Sequence, residues 1–318
     1  MNGSQRRAAR PSLSRRTPVP SSPKGSRRVE RERRSVFERS WLLACHESEI
    51  ANPGDARAIR HVARRSIIVL RGADGEIRCR DAGPGSCPMR TAIDFGQFVW
   101  VNFDDAAPAL RDYVAGALDG MIATLASAEL EVFACVTTPF DAGRSARPDR
   151  NGDVERGAVR RIEPAPDLLH PAYFVARDRA FANGHIAFAE RVVRYEAYPG
   201  AAARTLTLGG LMPDHAREIA VFPGVAFRLR GSSLRVDAVR PISPQRVVVE
   251  SRGLAPRSDT PKERAQRVRE YDAIWGPFGC AREHGAGAGD FARRHFEVEW
   301  ERRLGRPVSD PAIEALAG

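Results

Sequence analysis

The stretch Gly96-Gln-Phe-Val-Trp-Val-Asn-Phe-Asp104 is the segment of this sequence that says most about its fold. From Phe98 to Phe103 aromatic and aliphatic side chains alternate, which is typical of a β-strand. The carboxylates of Asp104 and Asp105 that follow can cap a helix, and residues 107–125 are predicted to form it. The segment therefore predicts a strand that leads directly into a helix.

The residues before this stretch predict one helix and a β-hairpin. The helix is expected from about Val29 to Trp41, because its apolar side chains fall on one face. Ser66–Arg71 and Glu76–Arg80 are runs rich in residues that favour strands. The Asp74-Gly75 step between them favours a tight hairpin turn.

The residues after it predict mostly strands, followed by two helices. The expected strands are Ile186–Tyr195, Glu218–Leu229, Ser233–Val239 and Arg246–Arg252, and the expected helices are Lys262–Trp275 and Asp290–Leu304. The predicted fold class is α+β, with a small all-β module followed by a larger module built on an antiparallel sheet. The expected boundaries are a disordered basic tail (1–28), the small module (29–135), a linker (136–160) and the larger module (161–318).

The charge distribution and the cysteine content limit the binding partners and the cellular compartment that can be expected of this chain. The net charge is +10, of which residues 1–34 carry +9 (eleven Lys or Arg and two Glu), so the rest of the chain carries about +1. Binding of nucleic acid is therefore not expected of the folded part, and a polyanion could bind only through the tail. The five scattered cysteines predict no disulfide framework and fit a reducing cytoplasm. No apolar run is long enough to predict a membrane span.

Three stretches resemble the large (alpha) subunits of Rieske-type aromatic-ring-hydroxylating oxygenases. The first runs from Val36 to Gly54 and continues into the hairpin that ends in Asp74-Gly-Glu-Ile-Arg78. The second is Gly96–Asp104 with Ala107-Pro-Ala-Leu after it. The third begins at Val221-Phe-Pro-Gly and continues to Ile274-Trp-Gly-Pro-Phe-Gly279. The three occur in the family's order and together cover more than half of the chain.

The resemblance implies a Rieske-like β module followed by a helix-grip (START-like) catalytic domain. It implies a 2Fe-2S cluster, a mononuclear Fe(II) centre and electrons from a ferredoxin or reductase. It also implies dioxygen-dependent hydroxylation of an aromatic or similar small apolar substrate in aromatic compound catabolism. A homo-oligomer or a complex with a beta subunit would be expected. The chain is shorter than the family pattern, and most of its iron ligands are missing.

The cluster ligands are the first place where this sequence departs from the family. A Rieske cluster is held by two Cys and two His, which the family supplies as Cys-x-His followed later by Cys-x-x-His. Here Cys87 matches the first Cys, but Met89 stands where the first His belongs. The sequence contains no Cys-x-x-His, and the interval from Ala92 to Phe98 has no room for one. An intact 2Fe-2S cluster is therefore not predicted.

The mononuclear iron ligands are also incomplete. His170, in Asp167-Leu-Leu-His-Pro-Ala-Tyr-Phe174, matches the family's second His, but Ala165 stands where the first belongs. Asp290 is the candidate acidic ligand and Glu283 its alternative. Iron in such sites takes two His and one carboxylate, so an intact centre is not predicted either. His185, in Asn183-Gly-His185, resembles a residue that lines the family's substrate pocket; it could equally be a surface histidine.

These observations leave three hypotheses for function. The chain could be a diverged oxygenase subunit, perhaps completed by ligands from a partner chain. It could be a non-catalytic remnant that binds a small apolar ligand or another subunit. Its basic tail could bind a polyanion. No phosphate-binding glycine loop, zinc-protease motif or serine-hydrolase motif occurs in the sequence.

Overall fold

The computed structural model describes residues 23–83, 88–114, 129–141, 184–189, 192–197, 216–230, 233–243, 246–275 and 298–305. Thirteen strands in these ranges form three antiparallel sheets. Helices and antiparallel sheets occur together, so the predicted α+β class is confirmed. No helix in the described part of the chain is both long and apolar enough to cross a bilayer.

The small module contains two three-stranded sheets, ordered β2-β3-β4 and β1-β6-β5. Its elements are α1 (Pro23–Glu32), a π-helical turn (Arg33–Phe37), β1 (Leu42–His46), a 3-10 turn (Glu47–Ile50), β2 (Ala56–Val62), β3 (Arg65–Arg71), β4 (Ile77–Asp81), β5 (Arg90–Asp94), β6 (Phe98–Asn102) and α2 (Leu110–Val114).

The larger sheet has seven strands in the order β7-β13-β12-β11-β10-β9-β8. They are β7 (Leu130–Asp141), β8 (Gly184–Ala189), β9 (Val192–Ala197), β10 (Ala216–Val221), β11 (Val225–Arg230), β12 (Ser233–Ser243) and β13 (Arg246–Pro256). Helix α3 (Pro261–Trp275) follows β13. Residues 298–303 form the last described helix, α4.

Strand β6 lies between two hydrophobic clusters, which explains why its sequence alternates. Val99 and Val101 belong to the first cluster and Phe98 and Trp100 to the second, and all four are buried. Each cluster contains residues from both the small module and the seven-stranded sheet, for example Phe227 in the second. Because the clusters are shared, the small module and the sheet are packed as one body in the described part of the chain.

Three expectations about elements need correction. Glu218–Leu229, expected as one strand, is the hairpin β10–β11, since Pro223 and Gly224 interrupt the run and the chain reverses between Val221 and Val225. Ile186–Tyr195 is likewise the hairpin β8–β9, with Ala189 paired to Val192. The first helix was expected near Val29 but begins at Pro23, inside the segment 1–28 expected to be disordered.

The predicted boundary at residue 135 also differs from the structure. Strand β7 runs from Leu130 to Asp141 and pairs with β13 along its whole length. Residues 130–135 therefore belong to the larger sheet, and residues 136–141 continue its edge strand instead of starting a linker. The β-branched residues of β7 (Val132, Val136, Thr137 and Thr138) and its two phenylalanines favour a strand.

Candidate functional site

The sequence-predicted site residues fall largely outside the described part of the chain. Cys87, His170 and Asp290, together with the alternative ligand Glu283, are all outside it. His185 lies in β8, an edge strand, where its backbone pairs with Glu196 of β9. The roles expected of these residues stay predictions.

The position of Met89 is described, and it bears on the expected cluster. Its backbone N–H donates to the carbonyl oxygen of Cys79 at 3.0 Å, which ties the start of β5 to β4. Its side chain is half-buried and packs against the first hydrophobic cluster. Where the family has an imidazole ligand, this chain therefore has a half-buried thioether packed against the core.

The second half of the ligand set would come from the connection between β5 and β6. That connection consists of Phe95, Gly96 and Gln97, all with positive φ angles (59°, 82° and 68°). The ring of Phe95 is buried and packs edge-on against Trp100, with 6.1 Å between ring centroids. A turn of three left-handed residues with an apolar first residue supplies neither a thiolate nor an imidazole.

The histidine nearest to this turn is His46, which the sequence analysis did not single out. Its Nε2 lies 2.9 Å from the carbonyl oxygen of Gly96, and its Nδ1 accepts a hydrogen bond from the Ser48 N–H at 3.2 Å. Burial lowers the pKa of His46 to about 4, so the ring is neutral at pH 7 and donates from Nε2 to Gly96. Both ring nitrogens are thus used to hold the backbone.

The residues present do not fit a Rieske cluster. Burial raises the pKa of Cys45 to about 12 and that of Cys79 to about 11, so both are thiols at pH 7. Across the described ranges no group of three His, Cys, Asp or Glu side chains is placed to share a metal. Met89 stands in place of the first His, and the turn at Phe95 stands where the second Cys and the second His would be needed.

A buried cluster of charges, which we call the ionic junction, joins the small module to the seven-stranded sheet. It consists of Glu49, Arg57, Arg240, Glu250 and Arg252. Arg57 and Arg240 donate to opposite oxygens of Glu250, at 2.8 Å and 2.7 Å. Arg252 Nε donates to Glu49 at 2.8 Å, and Glu49 also pairs with Arg57.

Backbone atoms of β1 complete this junction. Arg240 Nη2 donates to the carbonyl oxygens of Leu43 (3.1 Å) and Ala44 (3.2 Å), and Arg252 Nη2 donates to that of Ala44 (3.1 Å). Burial alone would raise the pKa of Glu250, but the charges of Arg240 and Arg252 outweigh it and lower that pKa to about 2. Glu250 is therefore ionised at neutral pH.

A second polar cluster lies on the opposite face of the sheet, toward α3. Along β12, Leu234, Val236 and Ala238 belong to the second hydrophobic cluster, so Arg235 and Asp237 point to the other side. Asp237 accepts from Arg228 Nη1 at 2.7 Å and from Arg235 Nε at 2.8 Å. Arg235 also donates to the Ser251 hydroxyl at 2.9 Å, and both arginines are buried.

Helix α3 covers part of this helix-facing cluster. Tyr271 is buried, and the charges of Arg235 and Asp237 both act on its hydroxyl group.

A separate cleft at the module junction, lined by Phe37, Val62, Val225 and Val239 among others, has a volume of about 20 Å³. That volume holds about one water molecule, so an organic ligand does not fit there.

Comparison with known proteins shows which proteins this chain is similar to. No family model matches the chain. It is 29% identical to methanesulfonate monooxygenase hydroxylase subunit alpha from Methylosulfonomonas methylovora, over 79% of this chain and 75% of that protein. It is 27% identical to 2-aminobenzenesulfonate 2,3-dioxygenase subunit alpha from Alcaligenes sp., over 88% of this chain and 91% of that protein.

The fold agrees with these relatives. The structure of naphthalene 1,2-dioxygenase from Rhodococcus sp. bound to indole matches 87% of this chain and 81% of its own, with a TM-score of 0.55 and 15% identity. This chain is a Rieske-type ring-hydroxylating oxygenase alpha-subunit-like protein. The predicted resemblance and the oxygenase alpha-subunit-like function are thereby confirmed.

The alpha-subunit-like chain lacks internal segments that its relative has. The alignment with the 2-aminobenzenesulfonate dioxygenase subunit spans 362 positions, whereas 88% of 318 residues is about 280. Roughly 80 aligned positions, the difference of those two numbers, therefore have no counterpart in this chain. Internal loss of this kind is consistent with the short turn between β5 and β6.

Proposed function

We propose that this chain is an oxygenase alpha-subunit-like protein that keeps the ligand-binding scaffold but carries no Rieske cluster of its own. The three-residue turn from Phe95 to Gln97 carries this proposal. A cluster needs two ligand-bearing loops that face each other, and here the second loop is a tight turn with a buried phenyl ring. Electron delivery through a cluster in this chain has no structural support.

The two relatives suggest the class of ligand. Their names contain methanesulfonate and 2-aminobenzenesulfonate, which share a sulfonate group. We propose that the ligand of this chain is a small organic sulfonate.

A working oxygenase that receives electrons or iron ligands from a ferredoxin, a reductase or another subunit is the second candidate. The extent of the match to two enzyme subunits favours it. In that case His170 and Asp290 would be iron ligands and His185 would line the pocket. The free thiols Cys45, Cys79 and Cys135 support a reducing, cytoplasmic setting for either candidate.

Iron and acid-labile sulfide assays on the purified chain test the absence of a cluster. We expect much less than one equivalent of each and no visible absorption band after anaerobic reconstitution. About two irons and two sulfides per chain, the composition of a 2Fe-2S cluster, would contradict the proposal.

Anaerobic titration with ferrous iron, comparing the wild type with His170→Ala, separates the two candidates. Tight binding lost in the variant favours the working oxygenase.

Calorimetric titration tests the ligand class. We expect 2-aminobenzenesulfonate to bind and aniline, which lacks the sulfonate, to bind at least tenfold more weakly. Equal affinities for both compounds would exclude a sulfonate-specific site.

A further inference from the structure

The ionic junction carries more positive than negative charge. It contains three arginines and two glutamates, so its formal charge is 3 − 2 = +1. The side chain of Arg57 is 29% exposed, and the other four are no more than 9% exposed. A buried charge without a counter-charge is unfavourable, so an additional anion would stabilise this cluster.

The excess positive charge is felt most strongly at Arg240. Arg252 pairs with both Glu49 and Glu250, at 2.8 Å and 2.9 Å, and these two carboxylates outweigh its burial and raise its pKa. Arg240 pairs with Glu250 alone. Its burial, together with the charges of Arg252 and Arg57, holds its pKa below the usual range. A further anion would therefore be attracted most strongly to Arg240.

Arg240 also has donor groups left for such an anion. In the described part of the chain its Nε donates to Glu250, and its Nη2 donates to Glu250 and to the carbonyl oxygens of Leu43 and Ala44. These bonds do not use the two N–H groups of Nη1. Guanidinium N–H groups form strong, charge-assisted hydrogen bonds with anions.

The cleft at the module junction adjoins this arginine. Arg240 lines it together with mostly apolar residues, and no Asp or Glu is among the lining residues in the described ranges. Its volume of about 20 Å³ accepts one species of about the size of a water molecule. A sulfonate or a carboxylate is too large, whereas chloride is a single atom only slightly larger than water. The size of the cleft and the charge beside it therefore favour a monatomic anion.

We propose that this cleft binds one chloride ion, held by Arg240, and that the ion completes the charge balance of the ionic junction. Leu42 and Val62 of the small module and Val225 and Val239 of the seven-stranded sheet line the cleft. Bound chloride should therefore stabilise the joined modules. The site does not depend on the function proposed above, and its failure would leave that proposal unchanged.

The melting temperature of the full chain, measured as a function of chloride concentration, tests the site. Sodium chloride should replace sodium gluconate at constant ionic strength, because gluconate is too large for the cleft and ionic strength alone weakens charge interactions. We expect a saturable rise of about 2–4 °C with chloride and a similar rise with bromide. The same melting temperature in chloride and in gluconate would overturn the proposal.

Two substitutions outside the cleft change the charge of the junction in opposite directions. Arg57→Gln lowers the formal charge by one, to zero, and should reduce the chloride-dependent rise at least roughly twofold. Glu250→Gln raises that charge by one and should enlarge the rise, whatever its starting melting temperature. Arg60 is exposed on the same strand as Arg57, so Arg60→Gln is the matched control and should respond as the wild type does. An undiminished response in Arg57→Gln would contradict the proposal, as would a smaller one in Glu250→Gln.

Crystals grown in bromide locate the ion through its anomalous scattering. We expect a bromide peak in the cleft beside Arg240. A cleft that holds only water would overturn the proposal. A bromide peak there without any effect of chloride on the melting temperature would indicate an adventitious ion only, and would overturn it as well.

Discussion

Two regions of the small module differ in whether their buried side chains are apolar or charged. At the β5–β6 end, Met89 packs into the core and Phe95 fills the turn, so apolar side chains occupy the region where the family places metal ligands. Where the module meets the larger sheet, the ionic junction keeps charged side chains largely buried between β1, β2 and that sheet.

This difference shows which polar groups the scaffold depends on. A buried charge that loses its partner is strongly destabilising, whereas replacing a whole polar set by apolar side chains can be neutral. Met89 and Phe95 are an example of apolar side chains replacing a polar set, since the other ligands of the set are missing too. The ionic junction is an example of buried charges that depend on their partners, because Glu250 alone pairs with three arginines.

The largest test of the comparison is Glu250→Gln, which removes the negative charge at the centre of the ionic junction. Arg57 and Arg252 would keep their pairs with Glu49, whereas Arg240 would lose its carboxylate partner. We expect the free energy of unfolding to fall by about 3–5 kcal/mol, measured by urea denaturation. The exposed Glu76→Gln is the matched control and should change it by less than about 0.5 kcal/mol. Similar small losses in both variants would show that the junction does not hold the modules together.

The second test uses pH and His46, which supports the turn at the apolar end. Its pKa is about 4 in the folded chain against 6.5 in a free histidine, so the unfolded chain binds the proton more readily. The stability that this ring confers is complete above pH 6.5 and is lost as the pH falls toward 4. Between pH 7 and pH 5 we expect a loss of roughly 2 kcal/mol.

The variant His46→Gln isolates this effect. Other carboxylates titrate equally in the variant and the wild type, so the difference between their unfolding free energies should shrink as the pH is lowered from 7 to 5. A difference that stays constant over this range would mean that the folded ring titrates normally and is not buried as described.

The third test asks whether a single ligand can be restored at the apolar end. Met89→His puts an imidazole where the family has one, but the position is half-buried against the first hydrophobic cluster. We expect a loss of about 1 kcal/mol from burying the polar ring, and no gain of iron or sulfide on reconstitution. Met89→Leu, similar in volume, is the control. Uptake of two irons by Met89→His would show that a latent cluster site survives.

The sequence predicted the elements whose signals are local. The alternation from Phe98 to Phe103 predicted β6, because each face of that strand packs in a different cluster. The Asp74-Gly75 step predicted the β3–β4 hairpin, in which Gly75 has a φ of 81°. The missing second ligand pair was also visible as an interval too short to hold it.

The ionic junction was not predictable from the sequence. Glu49 and Arg252 are about 200 positions apart and meet only when β1, β2 and β13 are assembled. An arginine on a strand is usually solvated, so nothing local marks Arg252 as completely buried. His46 was missed for a similar reason, since its partner Gly96 lies on a distant turn.

The smallest expected effect concerns the N-terminal residues. Residues 1–22 are rich in Arg, Ser and Pro and contain few apolar side chains, so they can bury little surface. Deleting them should shift the melting temperature by no more than about 1–2 °C, measured by differential scanning calorimetry. Any salt-sensitive binding to DNA or anionic vesicles should disappear with them, if the tail binds polyanions at all.

A longer deletion provides the contrast, because the helix that follows is part of the fold. Val29 is buried in the first cluster, Arg31 donates to the Leu304 carbonyl oxygen at 2.5 Å, and the Trp300 indole donates to Glu32 at 3.4 Å. Deleting residues 1–32 removes these contacts and should lower the melting temperature by several degrees more than deleting residues 1–22. If both deletions lower it equally, the stabilising contacts lie within residues 1–22, and the boundary between tail and fold must be moved toward the N-terminus.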